Sequence, residues 1–205
     1  MICASVLPIR SGRIGTLVRP NRLHQEDFAQ ALGIASSNKY EKAGDHYLAQ
    51  MFKVLREYSA DPVKDQLKLW DRVVFNYLIG NTDAHIKNYS LIYSPDMRSI
   101  RLAPAYDIIS TLVYESSTSE MSMKIGNAID IHDVTAESFE QEASEIGLGR
   151  SLAMKRYNMM LDRFEKSICE AADELYEEGF GAAKDLCGKI LGRSWDLLPK
   201  PAARS

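Results

Sequence analysis

The chain has 205 residues, a formal net charge of −3, and 45% hydrophobic and 26% charged residues. These values are typical of one globular domain, and a slightly acidic chain has no overall positive field with which to attract nucleic acid. No apolar run approaches the ~20 residues that a membrane-spanning helix needs. The composition therefore argues against a membrane-spanning protein and against a general nucleic-acid binder.

The three cysteines, Cys3, Cys169 and Cys187, are far apart in the sequence and odd in number. This arrangement fits neither a disulfide framework nor a zinc site made of paired thiols. The first ten residues also lack the positive n-region of a secretory signal. We therefore expect a protein of the reducing cytoplasm.

The first elements are short. Residues 1–21 read as a strand-like piece, a glycine-containing turn and a second extended piece, which we interpret as a remnant of a hinge or N-terminal lobe. A helix is predicted from Leu23 to Leu32, closed by Gly33 in the left-handed cap position, and a second helix from Gly44 to Tyr58. The main domain is expected to cover residues 22–195, and residues 196–205 to form a tail.

The third helix has the clearest signals in the chain. Asp61 can cap its start, Pro62 suits its first turn, and Gly80 can end it. Apolar residues at spacings of three and four predict one buried stripe, made of Val63, Leu67, Trp70, Val74 and Tyr77 or Leu78. The C-terminal end of this helix then points at the loop that contains Asp83.

A β-hairpin is predicted between residues 88 and 104. "NYSLIY" alternates with the two-residue period of a strand, "SPDM" suits a turn, and "SIRLAPAYD" begins as a second strand. The segment "MSMKI" also has a strand pattern. Helices are expected from Thr135 onward, including a long one from Ser151 to Glu178. The predicted fold is mainly α, with a small hairpin at a polar loop.

The polar residues around this hairpin suit phosphoryl transfer. Transfer to a hydroxyl needs a carboxylate that orients and deprotonates the attacking group, and oxygen ligands for Mg²⁺. Asp83 precedes Asn88 by five positions, as the base precedes a metal-binding Asn in protein kinases, and Asp107 follows the hairpin. The alternative is structural: Asn81 and Asp83 satisfy the end of the preceding helix, and Asp107 caps the next one. These residues alone leave both interpretations open.

Three ordered motifs resemble the HipA family of bacterial serine/threonine kinases, which are toxins of two-component toxin-antitoxin systems. The motifs are "RLHQEDFAQALG" at 22–33, "FNYLIGNTDAHIKNYSLIY" at 75–93 and "LAPAYDIIST" at 102–111. The resemblance covers about residues 20–180, which corresponds to the helical C-terminal lobe of that family. It implies a protein-kinase-like lobe that uses ATP and Mg²⁺.

The resemblance also implies a role for individual residues. Asp83 corresponds to the catalytic base, Asn88 and Asp107 to Mg²⁺ ligands, and His85 and Tyr106 to positions that contact the nucleotide. Lys87, in the same loop, could neutralise a phosphate or be an ordinary solvated lysine. The implied partners are a small DNA-binding antitoxin of the HipB type, through which any DNA contact is indirect, and a protein substrate such as an aminoacyl-tRNA synthetase.

A complete kinase of this type also has a glycine-rich phosphate loop and a strand lysine in its N-terminal lobe. Before the first matching helix this sequence has only one short glycine pair, "GRIG", and its first lysine is Lys39. The chain could be half of a split kinase whose N-terminal lobe is a separate polypeptide, a truncated product, or a pseudokinase that binds a partner without turnover. A metal-dependent phosphohydrolase using Asp83, His85 and Asp107 ranks last, because a second histidine at ligand spacing is missing.

Overall fold

A computed structural model describes residues 22–197, with side chains described as far as residue 193. The helices are α1 (Phe28–Ala31), α2 (Tyr47–Tyr58), α3 (Pro62–Leu78), α4 (Ala136–Glu145), α5 (Arg150–Glu177) and α6 (Ala183–Leu197). The strands are β1 (Gln25–Asp27), β2 (Ser90–Tyr93), β3 (Ile100–Leu102), β4 (Glu120–Ile125) and β5 (Ala128–Asp130). The predicted hinge remnant lies outside the described residues, and α6 runs two residues past the predicted end of the domain.

The predicted hairpin is confirmed, and it belongs to a larger sheet. Strands β2 and β3 pair antiparallel, and β1 pairs antiparallel with the other edge of β2, with Asp27 opposite Ser90. The prediction of one helix from Leu23 to Leu32 was therefore wrong in its first half, which contains strand β1 and no helix. Asp27 ends β1 and caps α1, where it forms a capping box with Gln30.

Helix α3 has the predicted limits, but its buried face differs from the predicted stripe. Asp61 caps it by accepting a hydrogen bond from the Lys64 amide, and Gly80 follows it with a φ of 70°. Val63 is 69% exposed, so its assignment to the buried stripe was wrong. The residues that α3 does bury include three polar ones, Asp65, Gln66 and Asn76. The full buried set is Asp65, Gln66, Leu69, Trp70, Val73, Val74, Asn76, Tyr77 and Leu78.

The core lies where α3, α4 and α5 meet. The ring of Phe139 is edge-on to Trp70 and Tyr77, with ring centroids 5.8 and 5.2 Å apart, and tilted against Tyr157 at 4.6 Å. The Trp70 indole donates a 3.0 Å hydrogen bond to the carbonyl of Ala153 in α5. Aromatic packing of this kind buries a large apolar area and holds the helices in one arrangement. Helix α3 is thereby fixed at the centre of the fold.

Buried Asp65 joins α3 to strand β3. Its carboxylate is fully buried and accepts hydrogen bonds from the Arg101 guanidinium at 2.8 and 3.1 Å, the Ser59 hydroxyl at 2.7 Å and the Leu102 amide at 3.0 Å. Burial alone would raise the pKa of Asp65, but these donors lower it below the ordinary value. Since β3 leads directly towards Asp107, Asp65 also fixes the approach to that residue.

The two cysteines of the C-terminal helices are close in space although they are distant in sequence. The Sγ atoms of Cys169 in α5 and Cys187 in α6 lie 3.8 Å apart, and both are free thiols. Sequence spacing did not predict this contact, because the turn between the two helices creates it. Between residues 22 and 197, no helix is long and apolar enough to cross a membrane.

Candidate active site

The loop from Gly80 to Tyr89 is tightly anchored to the segment that follows Asp107. The Gly80 carbonyl accepts hydrogen bonds from the backbone amides of Thr111 and Leu112 and from the Thr111 hydroxyl. Thr82 is buried, and its amide donates to the same Thr111 hydroxyl at 2.8 Å. A side chain at Gly80 would meet Leu112 at 3.0 Å, so glycine is needed there for space as well as for its positive φ. These contacts give the loop a fixed conformation.

A buried chain of hydrogen bonds supports the loop from beneath. The Tyr89 hydroxyl accepts from the Asn76 amide at 3.0 Å, and the Asn76 oxygen accepts from the Asn81 amide at 2.8 Å. The backbone amide of Asn81 also donates to the Asn76 carbonyl. The predicted structural role of Asn81 at the end of α3 is consistent with this network. Asp83, two residues further on, forms its hydrogen bonds with other groups.

Asp83 is half-buried, and it is hydrogen-bonded through both its carboxylate and its backbone. Its Oδ1 lies 3.4 Å from the Tyr40 hydroxyl and 3.5 Å from the Ser122 hydroxyl. Its carbonyl accepts from the backbone amide of His85 at 2.8 Å and from the side-chain amide of Asn88 at 3.0 Å. The last bond joins the predicted base to the predicted metal ligand. Because Asn88 Nδ2 donates, its Oδ1 is the atom left to accept from, or ligate, another group.

Asp107 lies past the hairpin in an unusual backbone conformation. It is exposed, and its φ is 55°, in the left-handed region where Asp is one of the few residues other than glycine that is found. No helix begins directly after Asp107. The next helical turn is a 3₁₀ turn at Thr111–Val113, with Ser110 in its N-cap position. The alternative in which Asp107 caps a helix is therefore wrong.

The charges of Asp83 and Asp107 both affect the pKa values of Lys39 and His85. The negative charges of both aspartates raise the pKa of Lys39, after a larger effect from its hydrogen bond with Tyr40. Both charges also oppose the lowering of the His85 pKa, which is caused chiefly by burial and next by the Lys39 charge. Both aspartates therefore contribute to the electrostatic surroundings of Lys39 and His85.

His85 is buried, and its Nδ1 has no hydrogen-bond partner. The Tyr40 ring lies edge-on to its imidazole, with centroids 6.1 Å apart. A pKa below the ordinary value keeps this histidine neutral at pH 7, so one ring nitrogen can accept a hydrogen bond. The position therefore suits a contact with a polar ligand, and the nucleotide-binding role of His85 stays a prediction.

The other two predicted ligand contacts lie at the hairpin side of the loop. The ammonium of Lys87 is 3.3 Å from the carboxylate of Asp27, which connects the loop to β1. The Tyr106 hydroxyl is 2.6 Å from the Lys87 carbonyl and 2.5 Å from the Ser90 hydroxyl. These contacts hold the loop on the sheet. The predicted roles of Lys87 and Tyr106 in binding phosphate and nucleotide remain predictions.

The chemistry of these donors fits Mg²⁺. Asn88 and Asp107 offer an amide oxygen and a carboxylate, and Mg²⁺ is commonly held by one or two such protein oxygens together with phosphate oxygens and water. In the described part of the chain, no group of three or more His, Cys, Asp or Glu residues is arranged to hold a metal ion. The ligand set of Asp83, His85 and Asp107 that a transition-metal phosphohydrolase would need is thus not assembled there.

Sequence reasoning missed three residues that the fold brings to the loop. Tyr40 and Ser122 reach Asp83 from segments 43 and 39 residues away along the chain, and Lys39 accompanies Tyr40. No periodicity or spacing connects these positions to the loop. The available signal was compositional: "NKYEK" is a polar stretch between two helices, the kind of loop that often contributes to a site.

Comparison with known proteins places the chain in a family. The family model described as "HipA-like C-terminal domain" matches residues 10–170. The chain therefore belongs to the HipA-like C-terminal domain family, and the mainly helical fold with small antiparallel sheets agrees with that assignment.

The relatives are kinases by name. The chain is 36% identical over 154 residues to "Putative kinase Y4mE" of Sinorhizobium fredii, covering 75% of this chain and 36% of that protein. It is 30% identical over 159 residues to "Serine/threonine-protein kinase toxin HipA" of Shewanella oneidensis, covering 73% of this chain and 36% of that protein. The chain thus spans about a third of the length of these two relatives.

A solved structure has the same fold. It is the complex of HipA, HipB and operator DNA from Shewanella oneidensis, which matches with a TM-score of 0.73 and 24% sequence identity. The match covers 95% of this chain and 51% of the matched chain. At this level of identity the match supports the fold, and the family assignment rests on the sequence comparisons.

Proposed function

We propose that this chain is the catalytic lobe of a HipA-like serine/threonine kinase, which transfers the γ-phosphate of ATP to a hydroxyl of a protein. The observation that carries the proposal is the hydrogen bond between the Asn88 amide and the Asp83 carbonyl. It locks a candidate base and a candidate metal ligand into one loop, and Asp107 adds its charge to the same site. This arrangement provides positioning and electrostatic stabilisation, which supply most of the catalysis in phosphoryl transfer.

Each side chain has a defined task in this proposal. Asp83 orients the attacking hydroxyl and accepts its proton, while the Tyr40 and Ser122 hydroxyls hold its carboxylate. Asn88 and Asp107 would hold Mg²⁺, which when bound would neutralise charge on the phosphates. His85 and Tyr106 contact the nucleotide, and the exposed side of Asp107 leaves room for the phosphates.

The proposed biological setting follows the names of the relatives. We infer a cytoplasmic toxin of a toxin-antitoxin pair, with a small DNA-binding antitoxin of the HipB type as partner and DNA contact only through that partner. An aminoacyl-tRNA synthetase is a candidate protein substrate.

The test is the substitution Asp83→Asn, which keeps the shape of the side chain and removes the base. Transfer of labelled phosphate is measured for this chain, alone and co-expressed with the products of neighbouring genes. We expect the substitution to lower transfer by about 10²-fold or more, because general bases contribute 10² to 10⁴. Asp133→Asn, the same change at an exposed position, is the matched control and should leave transfer unchanged.

Two results would contradict the proposal. Undiminished transfer by the Asp83→Asn variant would exclude Asp83 as the base. Absence of transfer by the wild-type chain in every combination, together with binding of an antitoxin, would instead support the alternative of a catalytically inactive pseudokinase that serves as a partner-binding module.

A further inference from the structure

The segment Asn38–Glu41 forms a wall of the site, next to the loop that contains Asp83. Tyr40 lies against the loop, with its hydroxyl 3.4 Å from Asp83 Oδ1 and its ring edge-on to His85. Lys39 precedes it, and the Lys39 ammonium lies over the Tyr40 ring, 4.6 Å from the centroid. The Tyr40 ring thus supports a cation and its hydroxyl contacts the Asp83 carboxylate.

The segment is held from both sides by its neighbours. Glu41 is partly buried, and its carboxylate accepts hydrogen bonds from the backbone amides of Tyr47 at 3.3 Å and Lys124 at 2.9 Å. Its own amide donates to the Ser122 carbonyl at 2.9 Å, while the Asn38 carbonyl accepts from the Tyr47 hydroxyl at 2.7 Å. These bonds connect the segment to the start of α2 and to β4, so Lys39 projects from a fixed backbone.

The two lysines near the loop have different surroundings. The Lys87 ammonium is in an ion pair with Asp27 at 3.3 Å, which directs it towards the sheet. The Lys39 ammonium rests on an aromatic face. Its hydrogen bond with Tyr40 raises its pKa most, and the charges of Asp83 and Asp107 raise it further. With one hydrogen bond to Tyr40, the Lys39 ammonium still has further N–H donors for an anion, and in the described part of the chain no carboxylate neutralises its charge as Asp27 does for Lys87.

From these contacts we infer that Lys39 is the phosphate-binding cation of this lobe, positioned by Tyr40 and Glu41 to contact the phosphate groups of the nucleotide. The inference rests on the proposed phosphoryl-transfer function and assigns the role that sequence analysis considered for Lys87. The partner chemistry is a polyphosphate chain bound together with a divalent cation. Lysine acts on such a ligand as a compact point charge.

This role has a signature that a structural role does not have. The Lys39 charge attracts phosphate, but it repels a divalent cation that binds at Asn88 and Asp107. Removing the charge should therefore weaken the binding of a polyphosphate and strengthen the binding of the metal alone. Loosening of the fold would weaken both.

The experiment uses this chain with Lys39→Met, which keeps most of the length of the side chain. Binding of Mn²⁺ alone is measured by electron paramagnetic resonance, and binding of tripolyphosphate in saturating Mn²⁺ by calorimetry. We expect the variant to bind Mn²⁺ about threefold to tenfold more tightly and tripolyphosphate about tenfold more weakly, as expected for one charge across several ångströms of partly hydrated space. Lys39→Arg should bind both ligands as the wild type does.

The matched control is Lys53→Met, which removes the same charge from an exposed position on α2 and should change neither affinity. The inference would be overturned if Lys39→Met left the affinities for Mn²⁺ and for tripolyphosphate unchanged. It would also be overturned if the substitution moved both affinities in the same direction. A wild-type chain that binds neither probe would also overturn it, because the role needs an anion site in this lobe. Phosphate transfer is measured in the separate experiment with Asp83→Asn. A lack of transfer there would contradict the proposed function, but the binding results for Lys39 could still be interpreted.

Discussion

Replacing Asp65 by alanine tests how the site is held in place. The carboxylate joins α3 to β3, and its partners are Arg101, the Ser59 hydroxyl and the buried Leu102 amide. Asp65→Ala leaves those donors without their acceptor. Strand β3 leads to Asp107, so the substitution should loosen the site as well as lower the stability.

The cost can be worked from burial. A buried amide left without a partner costs about 1–3 kcal/mol, and hydrogen bonds to a charged group contribute about 1.5–3 kcal/mol each. The Arg101 side chain is 36% exposed and can be rehydrated, which reduces its share. The total is about 3–4 kcal/mol, near the lower end of the range for breaking a buried ion pair. For a chain of this size it corresponds to a fall in Tm of roughly 10 °C.

The assay is urea unfolding followed by circular dichroism, together with a thermal scan. Asp71→Ala is the matched control, since Asp71 also lies on α3 and forms two hydrogen bonds with one arginine, Arg156, but its side chain is 29% exposed. That variant should lose no more than about 1 kcal/mol. Equal losses in the two variants would refute the reasoning that burial, rather than pairing alone, sets the cost.

Two further predictions concern groups outside the site. Burial raises the pKa of Glu142 to about 7, so the stability that its protonated form contributes is lost as the pH rises from about 4.5 through 7. Glu142→Gln should therefore flatten the pH dependence of the unfolding free energy between pH 5 and 8. An unchanged slope would contradict this. Treatment with hydrogen peroxide should link Cys169 to Cys187, detected by peptide mass mapping and lost in Cys187→Ser; failure to link them would contradict their proximity.

Local signals predicted the helices well. Asp61, Pro62 and Gly80 set the limits of α3, and Thr135 caps α4 as expected, because capping depends on residues within one turn. The hairpin was predicted for the same reason, since its turn lies between its strands. Strand β1 was missed, because three residues are too few to show a period and their partner strand is more than sixty residues away.

The phase of α3 shows a second limit of sequence patterns. Val63 fits the apolar spacing but is exposed near the start of the helix, whereas Asp65 is fully buried. Hydrophobicity alone ranks these two residues in the wrong order. Burial of Asp65 becomes favourable only because strand β3 brings Arg101 and the Leu102 amide to it. A local sequence pattern does not show such a pairing between distant segments.

The residues of the candidate site also fall into two groups: those that a local sequence pattern could predict, and those that distant segments contribute. The spacing of Asp83 and Asn88 lies within one loop, so it could be recognised, and the structure adds the hydrogen bond that joins them. The groups that hold or surround Asp83 come from distant segments. Tyr40 lies in the segment before α2 and Ser122 lies in β4, and no spacing rule connects either position to the loop.

The conformation of Asp107 separates a structural from a functional interpretation of the polar cluster. A residue other than glycine at a φ of 55° costs about 1 kcal/mol or more, and Asp107 is exposed, so burial does not offset that cost. A helix cap would have explained the carboxylate, but the next helical turn begins four residues later, at Thr111, and its N-cap residue is Ser110. Neither a helix cap nor burial accounts for the backbone conformation of Asp107, which agrees with the proposal that its carboxylate holds a ligand.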